Sequence, residues 1–308
     1  MKKNMKNKIM LSLALVISVS GLAQQDPQFT HYMYNTIHLN PAYAGSREMM
    51  TVGLLHRSQW MGLDGAPTSQ TFYVHSPLRN QSLNLGLSLV NDKIGPIANT
   101  MVYGDFAYRT NVSANTRLAF GLKAGFNYFQ PKLADVETDE SGDPSFVGST
   151  LKSTIAPNVG FGMYLNNDRY YLGLSIPKIM QNSLDTGDTT SVGEKRHYWF
   201  IAGYLIPVGN TVKLKPTAQL KLVENAPASL DVTAEAIFND LLSVGMGYRF
   251  GDAFDVMAGV QITPQFKAGL SYDFTTSELR KVNSGSLEFM LMYDFLFKEN
   301  KLKSPRYF

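Results

Sequence analysis

The stretch 286–297 near the end of this chain alternates between apolar and polar positions almost without a break. One face carries Leu287, Phe289, Leu291, Tyr293, Phe295 and Phe297, and the other carries Ser286, Glu288, Met290, Met292, Asp294 and Leu296. Because successive side chains of a β-strand point to opposite faces, the pattern predicts a strand with one apolar side and one mostly polar side.

Similar stretches recur along the chain and predict about fourteen strands. They cover roughly 50–60, 68–76, 82–91, 97–110, 115–129, 155–166, 168–176, 195–207, 211–223, 228–239, 241–250, 254–262, 265–275 and 284–297. A length of about ten residues suits a tilted strand that crosses a bilayer, whereas strands of globular proteins average five or six. The pattern favours an all-β fold, an antiparallel transmembrane barrel of the outer membrane, over a soluble sandwich.

The connections between these strands predict the orientation of the barrel. The two longest, 130–154 and 177–194, follow odd-numbered strands, and the connections after even-numbered strands are short. Short periplasmic turns and longer extracellular loops are the known asymmetry of such barrels, so we expect both ends of the chain in the periplasm. Aromatic girdles are expected at the strand ends, from Trp60, Trp199, Tyr198, Tyr170, Tyr171, Tyr103 and Tyr108.

The first residues have the pattern of a secretory signal peptide. Four lysines precede the mostly apolar run 9–19, and Gly21-Leu22-Ala23 supplies the small residues of a cleavage site. About eleven apolar residues are too few for a membrane anchor, which needs roughly twenty. We therefore predict a cleaved signal peptide at 1–23, a periplasmic lead-in segment at 24–45, the barrel at 46–297 and a periplasmic tail at 298–308.

Composition argues against several other classes of protein. Without the predicted signal peptide the chain keeps 24 basic and 25 acidic residues, which gives no charge argument for nucleic-acid binding. It has no cysteine, and its five histidines lack metal-binding spacing. The acidic loop 135–143 lacks the glycine and glutamate of a calcium loop, although weak surface calcium binding stays open. We expect no cofactor, no metal site and no enzymatic activity.

The predicted lumen face of the wall carries charges of both signs. Lys213, Lys215 and Lys221 share a face with Asp231 and Glu235 of the next strand, so we expect a charge network across the lumen. Glycines recur on this inward face at 121, 125, 245, 247, 259 and 269. They permit either bends in the sheet or close packing of the N-terminal segment or a loop inside the barrel. Pro216 lies in mid-strand and predicts a bulge.

The segment 25–45 carries a distinctive set of motifs. It reads Gln25-Asp26-Pro27-Gln28-Phe29-Thr30-His31-Tyr32-Met33-Tyr34-Asn35 and then Asn40-Pro41-Ala42-Tyr43-Ala44-Gly45, followed later by Arg57-Ser58-Gln59-Trp60 and Asn91-Asp92-Lys93-Ile94-Gly95-Pro96. In these motifs the chain resembles the PorP/SprF family of outer-membrane proteins of the type IX secretion system. Pro27 predicts a helix over 29–35, and Asn40-Pro41 predicts the end of any helix.

The resemblance implies a role in protein export and not in the flux of small molecules. The implied partners are secreted proteins or adhesins with C-terminal sorting domains, and periplasmic secretion or gliding components. About fourteen strands are too few for a conduit that passes a folded protein, so docking is the expected mechanism. The alternative is a passive outer-membrane transporter for hydrophobic small solutes.

Two sets of residues are expected to contact these partners. The periplasmic set is Asp26, Phe29, Tyr32, Asn35, Tyr43, Arg306, Tyr307 and Phe308. The extracellular set lies in the two long loops and consists of Asp135, Glu137, Asp139, Phe146, Asp185 and Asp188. The tail 298–308 could equally be a flexible solubilising sequence.

Overall fold

Antiparallel strand pairing forms the wall of the protein. The computed structural model describes residues 26–131, 153–184, 192–295 and 307. The wall strands are β1 Met50–Ser58, β2 Thr68–Pro77, β3 Leu83–Ile94, β4 Ile97–Asn111, β5 Arg117–Pro131, β6 Thr154–Asn166, β7 Tyr170–Ile176, β8 His197–Tyr204 with its continuation Ile206–Val208, β9 Val212–Val223, β10 Ser229–Phe238, β11 Leu242–Arg249, β12 Ala253–Gln261, β13 Phe266–Thr275 and β14 Ser286–Phe295.

The sheet closes on itself. Each strand pairs with its neighbours in sequence, and β1 pairs with both β2 and β14, with Met50 opposite Phe295. Closure removes the free edges that would expose unpaired backbone groups to lipid. The predicted antiparallel barrel of fourteen strands is therefore confirmed.

The two faces of the wall follow the alternation seen in the sequence. On β14, Phe289 is 52% exposed on the outside, whereas its neighbour Glu288 is 0% exposed on the inside. The exterior carries leucine, phenylalanine, tyrosine and valine, and the interior carries charged, polar and small side chains together with several tyrosines, methionines and one tryptophan. This is the arrangement that a barrel needs when lipid surrounds it. No helix in the described part of the chain is long and apolar enough to cross a membrane.

The two ends of the barrel differ in their connections. We call the end with the connections 59–67, 95–96, 132–153, 177–196, 224–228, 250–252 and 276–285 the long-loop end, because four of these connections have nine residues or more. The opposite end has only the connections 78–82, 112–116, 167–169, 209–211, 239–241 and 262–265, and we call it the short-turn end. By the known asymmetry of these barrels, the long-loop end is extracellular and the short-turn end is periplasmic.

Among the described strands, the wall is interrupted next to Pro216. Strand β8 breaks at Leu205 and resumes at Ile206, and its pairing with β9 keeps the same register on both sides of the break. Pro216 lacks the N–H that the ladder would use, so pairing lapses there without an inserted residue. The predicted bulge at Pro216 is therefore wrong.

Three of the expected girdle aromatics lie inside the barrel. Trp199, Tyr171 and Tyr103 are buried, whereas Tyr198 and Tyr108 are exposed on the outer surface. Proximity to a strand end does not decide which face a side chain takes, and strand parity points these three rings into the lumen. The girdle prediction is wrong for them.

Candidate functional site: the occupied lumen

The residues that precede β1 fill the interior of the barrel. We call Asp26–Met49 the lumen segment; apart from Asp26, Pro27, Gln28 and Glu48 its residues are buried. Its aromatic and aliphatic side chains, such as Phe29, Tyr32 and Ile37, form one core cluster with inward side chains of the wall. Burial of this apolar surface favours the interior over the periplasm. The periplasmic position predicted for 24–45 is therefore wrong for its described part.

The lumen segment starts at the long-loop end. Asp26 forms an ion pair with Lys178 in the connection after β7, and its backbone N–H lies 3.4 Å from Nε2 of His197 at the start of β8. Gln28 donates to Oγ of Ser229, the first residue of β10, over 3.2 Å. The chain enters the lumen at the extracellular mouth, opposite to the predicted periplasmic entry.

In the middle of the barrel, tyrosines of the lumen segment reach the wall. The Tyr32 hydroxyl lies 2.8 Å from Oγ1 of Thr217. The Tyr34 hydroxyl donates to the Glu235 carboxylate over 2.9 Å and accepts from Nζ of Lys267 over 2.6 Å. These contacts hold the segment to one side of the wall, β9 to β13.

The segment turns sharply near its centre. Residues 30–35 form turns, and the helix α1 covers only Thr36–Leu39, so the helix predicted over 29–35 is wrong. Asn40 ends α1 as predicted, and its Nδ2 donates to the Met163 carbonyl over 2.9 Å. Its Oδ1 accepts from the Ala42 N–H, which starts the 3-10 turn Pro41–Tyr43. This turn lies directly against β5 and β6.

Gly121 of β5 makes this close approach possible. A Cβ atom there would lie 2.1 Å from the Ala42 nitrogen and 2.4 Å from the Pro41 carbonyl carbon, both backbone atoms that cannot turn away. We expect Gly121→Ala to destabilise the barrel by about 1–3 kcal/mol, because the lumen segment must shift. Urea unfolding followed by tryptophan fluorescence measures the change.

Gly104 supplies a matched control for Gly121. It lies on the neighbouring strand β4, faces outward, and a Cβ there would come no closer than 3.9 Å to the Ala124 carbonyl. We expect Gly104→Ala to change stability by no more than about 0.5 kcal/mol. Equal effects of the two substitutions would contradict close packing of the segment on β5.

The lumen segment ends at the short-turn end. Arg47 donates from Nε and Nη2 to the Asp294 carboxylate over 3.2 and 2.7 Å. Arg109, close to the end of β4, donates to the Gly45 carbonyl over 3.1 Å. The segment therefore runs through the whole lumen before it joins β1.

A buried ionic cluster lies near the long-loop end. Arg57 of β1 binds Asp273 of β13 over 2.7 Å and Glu288 of β14 over 3.1 Å. Both carboxylates also accept from the lumen segment: the Thr30 hydroxyl donates to Asp273 over 2.7 Å, and Glu288 accepts from the backbone N–H groups of Thr30 and His31. The sequence reasoning missed this cluster, although the inward parity of Glu288 signalled a lumen position.

The five charged residues predicted to form a lumen network have several different partners. Lys215 lies 3.4 Å from Glu235, directly across from it on β10. Asp231 instead binds Arg249 over 3.0 Å, Lys221 lies over the Trp199 ring, and Lys213 binds Asp240 over 2.7 Å at the short-turn end. These contacts therefore lie at several positions along the barrel axis and do not join the five residues into one connected network.

At the two mouths of the barrel, neighbouring residues shift the pKa values of ionisable groups. Burial alone would raise the pKa of the Asp26 carboxyl, but Lys178 and His197 outweigh it and the pKa is lowered. At the short-turn end, burial and the hydrogen bond to Asp240 raise the pKa of Tyr307 to about 12. Asp26 is therefore ionised and Tyr307 protonated at neutral pH.

The structure places the expected partner-binding residues in three groups. Phe29, Tyr32, Asn35 and Tyr43 are buried inside the barrel, and Asp26 is partly buried at the extracellular mouth. Tyr307 lies at the short-turn end, where its hydroxyl donates to Asp240 over 2.5 Å and Lys213 lies over its ring. Arg306 and Phe308 lie outside the described residues, as do Asp135, Glu137, Asp139, Phe146, Asp185 and Asp188.

Among the histidine, aspartate and glutamate side chains of the described ranges, no group of three could hold a metal ion. The acidic loop considered for calcium falls in 132–152, which the structure does not describe.

Solved outer-membrane barrels share the fold of this chain. The Ralstonia pickettii toluene transporter TbuX aligns with a TM-score of 0.51 at 11% identity, over 85% of this chain and 93% of that one. The monoaromatic hydrocarbon channel CymD aligns with a TM-score of 0.50 at 11% identity, over 85% and 93% of the two chains. Identities this low show likeness of fold alone.

Sequence comparison assigns the family. Among curated proteins, no relative matches the chain. Residues 21–293 match the family described as type IX secretion system membrane protein PorP/SprF, which confirms the resemblance drawn from the motifs in 25–45. The fold and this match place the protein in the outer membrane as a component of type IX secretion. The chain belongs to the PorP/SprF family.

Proposed function

We propose that this barrel docks or anchors secreted proteins or adhesins with C-terminal sorting domains, and that it contacts periplasmic secretion or gliding components. The observation that carries the proposal is the lumen segment, which occupies the interior of the barrel from mouth to mouth. A wall of this size with its interior occupied favours binding at the ends of the barrel over passage through it.

The two ends have different roles in this proposal. The extracellular loops hold the sorting domain, through the acidic residues Asp135, Glu137, Asp139, Asp185 and Asp188 together with Phe146. The short-turn end and the tail with Arg306, Tyr307 and Phe308 face the periplasmic machinery. The buried side chains Phe29, Tyr32, Asn35 and Tyr43 serve to hold the lumen segment, since a partner has no access to them in this conformation.

An export assay tests the docking role. In cells that lack the chain, we expect the surface exposure of a reporter fused to a sorting domain to fall by about tenfold or more. A tenfold fall corresponds to only about 1.4 kcal/mol of lost binding free energy. Protease digestion of intact cells measures the exposure. Wild type should restore exposure, whereas a variant with 134–150 replaced by a glycine-serine linker should assemble in the membrane without restoring it.

A control replaces the connection 276–285 at the same end of the barrel with a linker of equal length. Full export by both loop variants would contradict docking through the 132–153 loop. Unchanged export in cells without the chain would overturn the proposed function as a whole.

The transporter alternative makes a different prediction for the purified protein. TbuX is described as a toluene transporter and CymD as a monoaromatic hydrocarbon channel, but their likeness to this chain is one of fold. The interior of this barrel carries buried charges such as Arg57, Glu288 and Lys123, which a path for hydrophobic solutes would have to avoid. Uptake of toluene into liposomes containing the barrel would favour the alternative.

A further inference from the structure

A groove of about 430 Å³ lies on the outer surface of the wall, across β14 and β1 to β4. Its apolar lining comes from side chains of the outer face, namely Leu54, Phe72, Leu89, Phe289 and Leu291. The volume falls within the usual range of ligand-binding pockets, about 300–1,000 Å³. The groove faces away from the lumen segment, so whatever occupies it comes from the surrounding membrane.

Polar side chains form one margin of this groove. Four of them lie directly opposite one another on the neighbouring strands β1 to β4, and we call them the polar row: His56, Gln70, Asn91 and Thr100. On β1, which runs from the short-turn end to the long-loop end, His56 follows Leu54 at the next outward position. The polar row therefore lies on the extracellular side of the apolar lining.

The polar row interrupts a face that carries aromatic side chains on both sides of it. His56 lies opposite Phe289 of β14, and Thr100 at the other end of the row lies opposite Tyr128 of β5. Within the row, the Thr100 hydroxyl donates to Oδ1 of Asn91 over 3.1 Å. Amide, hydroxyl and imidazole groups are costly against hydrocarbon unless a hydrogen-bonding partner is present. The row thus requires a polar group at this place on the outer surface.

The separation of polar and apolar lining points to an amphiphile as the occupant. A hydrocarbon chain in the groove, with polar groups at its extracellular end, would match both parts of the lining. A peptide in extended form would not, because it carries an N–H and a C=O at every residue and the apolar part offers these groups no partner. The amides of Gln70 and Asn91 and the hydroxyl of Thr100 each donate and accept hydrogen bonds, as neutral amides and hydroxyls of a ligand do.

We propose that the groove binds an acyl chain of a glycolipid of the outer leaflet, and that the polar row hydrogen-bonds amide and hydroxyl groups next to that chain. Lipid A has this chemistry, since its amide-linked acyl chains carry hydroxyl groups close to the sugar. The site depends on the orientation of the barrel in the membrane and is independent of the docking role proposed above.

A competition experiment on the purified full-length barrel in detergent tests the proposal. The two probes are sugar phosphates with one acyl chain of equal length. In the first, the chain is amide-linked to glucosamine phosphate and carries a hydroxyl group; in the second, it is ester-linked to glucose phosphate and has no hydroxyl group. We expect wild type to retain the first probe about tenfold or more over the second, measured by native mass spectrometry.

Two variants separate the polar row from the groove. The double variant Gln70→Leu with Asn91→Leu should retain both probes equally, and both side chains are exposed on the outer surface, so the barrel should still assemble. Leu54→Trp fills the groove and should lower retention of both probes by about tenfold. Thr110→Leu is the control, because it replaces an exposed outward side chain of β4 at the short-turn end, outside the groove, and should keep the preference.

Equal retention of the two probes by wild type, or retention of neither, would overturn the proposal even if a variant failed to fold. An unchanged preference in the double variant would show that the polar row does not read the ligand, and full retention by Leu54→Trp would place the chain elsewhere. Either result contradicts the proposed site. A lipid-free dimer of wild type that the double variant does not form would assign the groove to a second copy of the chain and would likewise overturn it.

Discussion

Arg57→Ala is expected to destabilise the barrel by about 3–5 kcal/mol, because removal of one partner leaves buried charges without compensation. The guanidinium joins Asp273, Glu288 and the hydroxyl of Thr30, so its loss weakens both the wall and the hold on the lumen segment. Urea unfolding followed by tryptophan fluorescence measures the loss.

Two further variants separate charge compensation from a general loss of stability. Arg280→Ala removes an exposed arginine in the connection 276–285 and should change stability by no more than about 0.5 kcal/mol. The triple variant Arg57→Met, Asp273→Asn and Glu288→Gln removes the charges together and should recover a large part of the loss. A triple variant as unstable as Arg57→Ala would show that the cluster acts through packing alone.

A cysteine at position 25 is expected to react with a membrane-impermeant maleimide on intact cells. Asp26 lies at the long-loop end, and neighbouring Cα atoms are only about 3.8 Å apart, so we expect a thiol at the preceding position to be reached from the extracellular side. The chain has no native cysteine, so Gln25→Cys introduces the only thiol.

Two other positions calibrate the labelling of Gln25→Cys. Asp64→Cys, in the exposed connection 59–67, should react to the same extent, and Asn210→Cys, in a short turn, should remain at background until the outer membrane is opened. Labelling of Gln25→Cys only after opening would place the entrance of the lumen segment in the periplasm and contradict the direction seen in the structure.

The wall of this barrel was predictable from sequence because strand parity is a local property. On β14 the alternation of Glu288, Phe289 and Met290 already separates inside from outside, and closure adds only neighbouring pairings of one kind. Loop lengths gave the orientation for the same reason, since they depend only on where strands begin and end.

The contents of the lumen were harder to predict because their contacts are remote in sequence. Thr30 meets Glu288 across 258 positions, and Tyr34 meets Glu235 across 201. Inward glycines such as Gly121 fitted both curvature and close packing, and only the backbone of Ala42 against it distinguishes the two. Trp199 illustrates a further limit, since its aromatic character suggested the membrane interface and its parity placed it inside.

The seam between β1 and β14 has a consequence for the order of assembly. These two strands meet across 245 positions of sequence at Met50 and Phe295, and they carry Arg57, Glu288 and Asp294, which bind the lumen segment. Pairings so distant in sequence form late in folding. The barrel therefore closes around a segment that its two closing strands bind. The segment acts as an internal template for the last step of assembly.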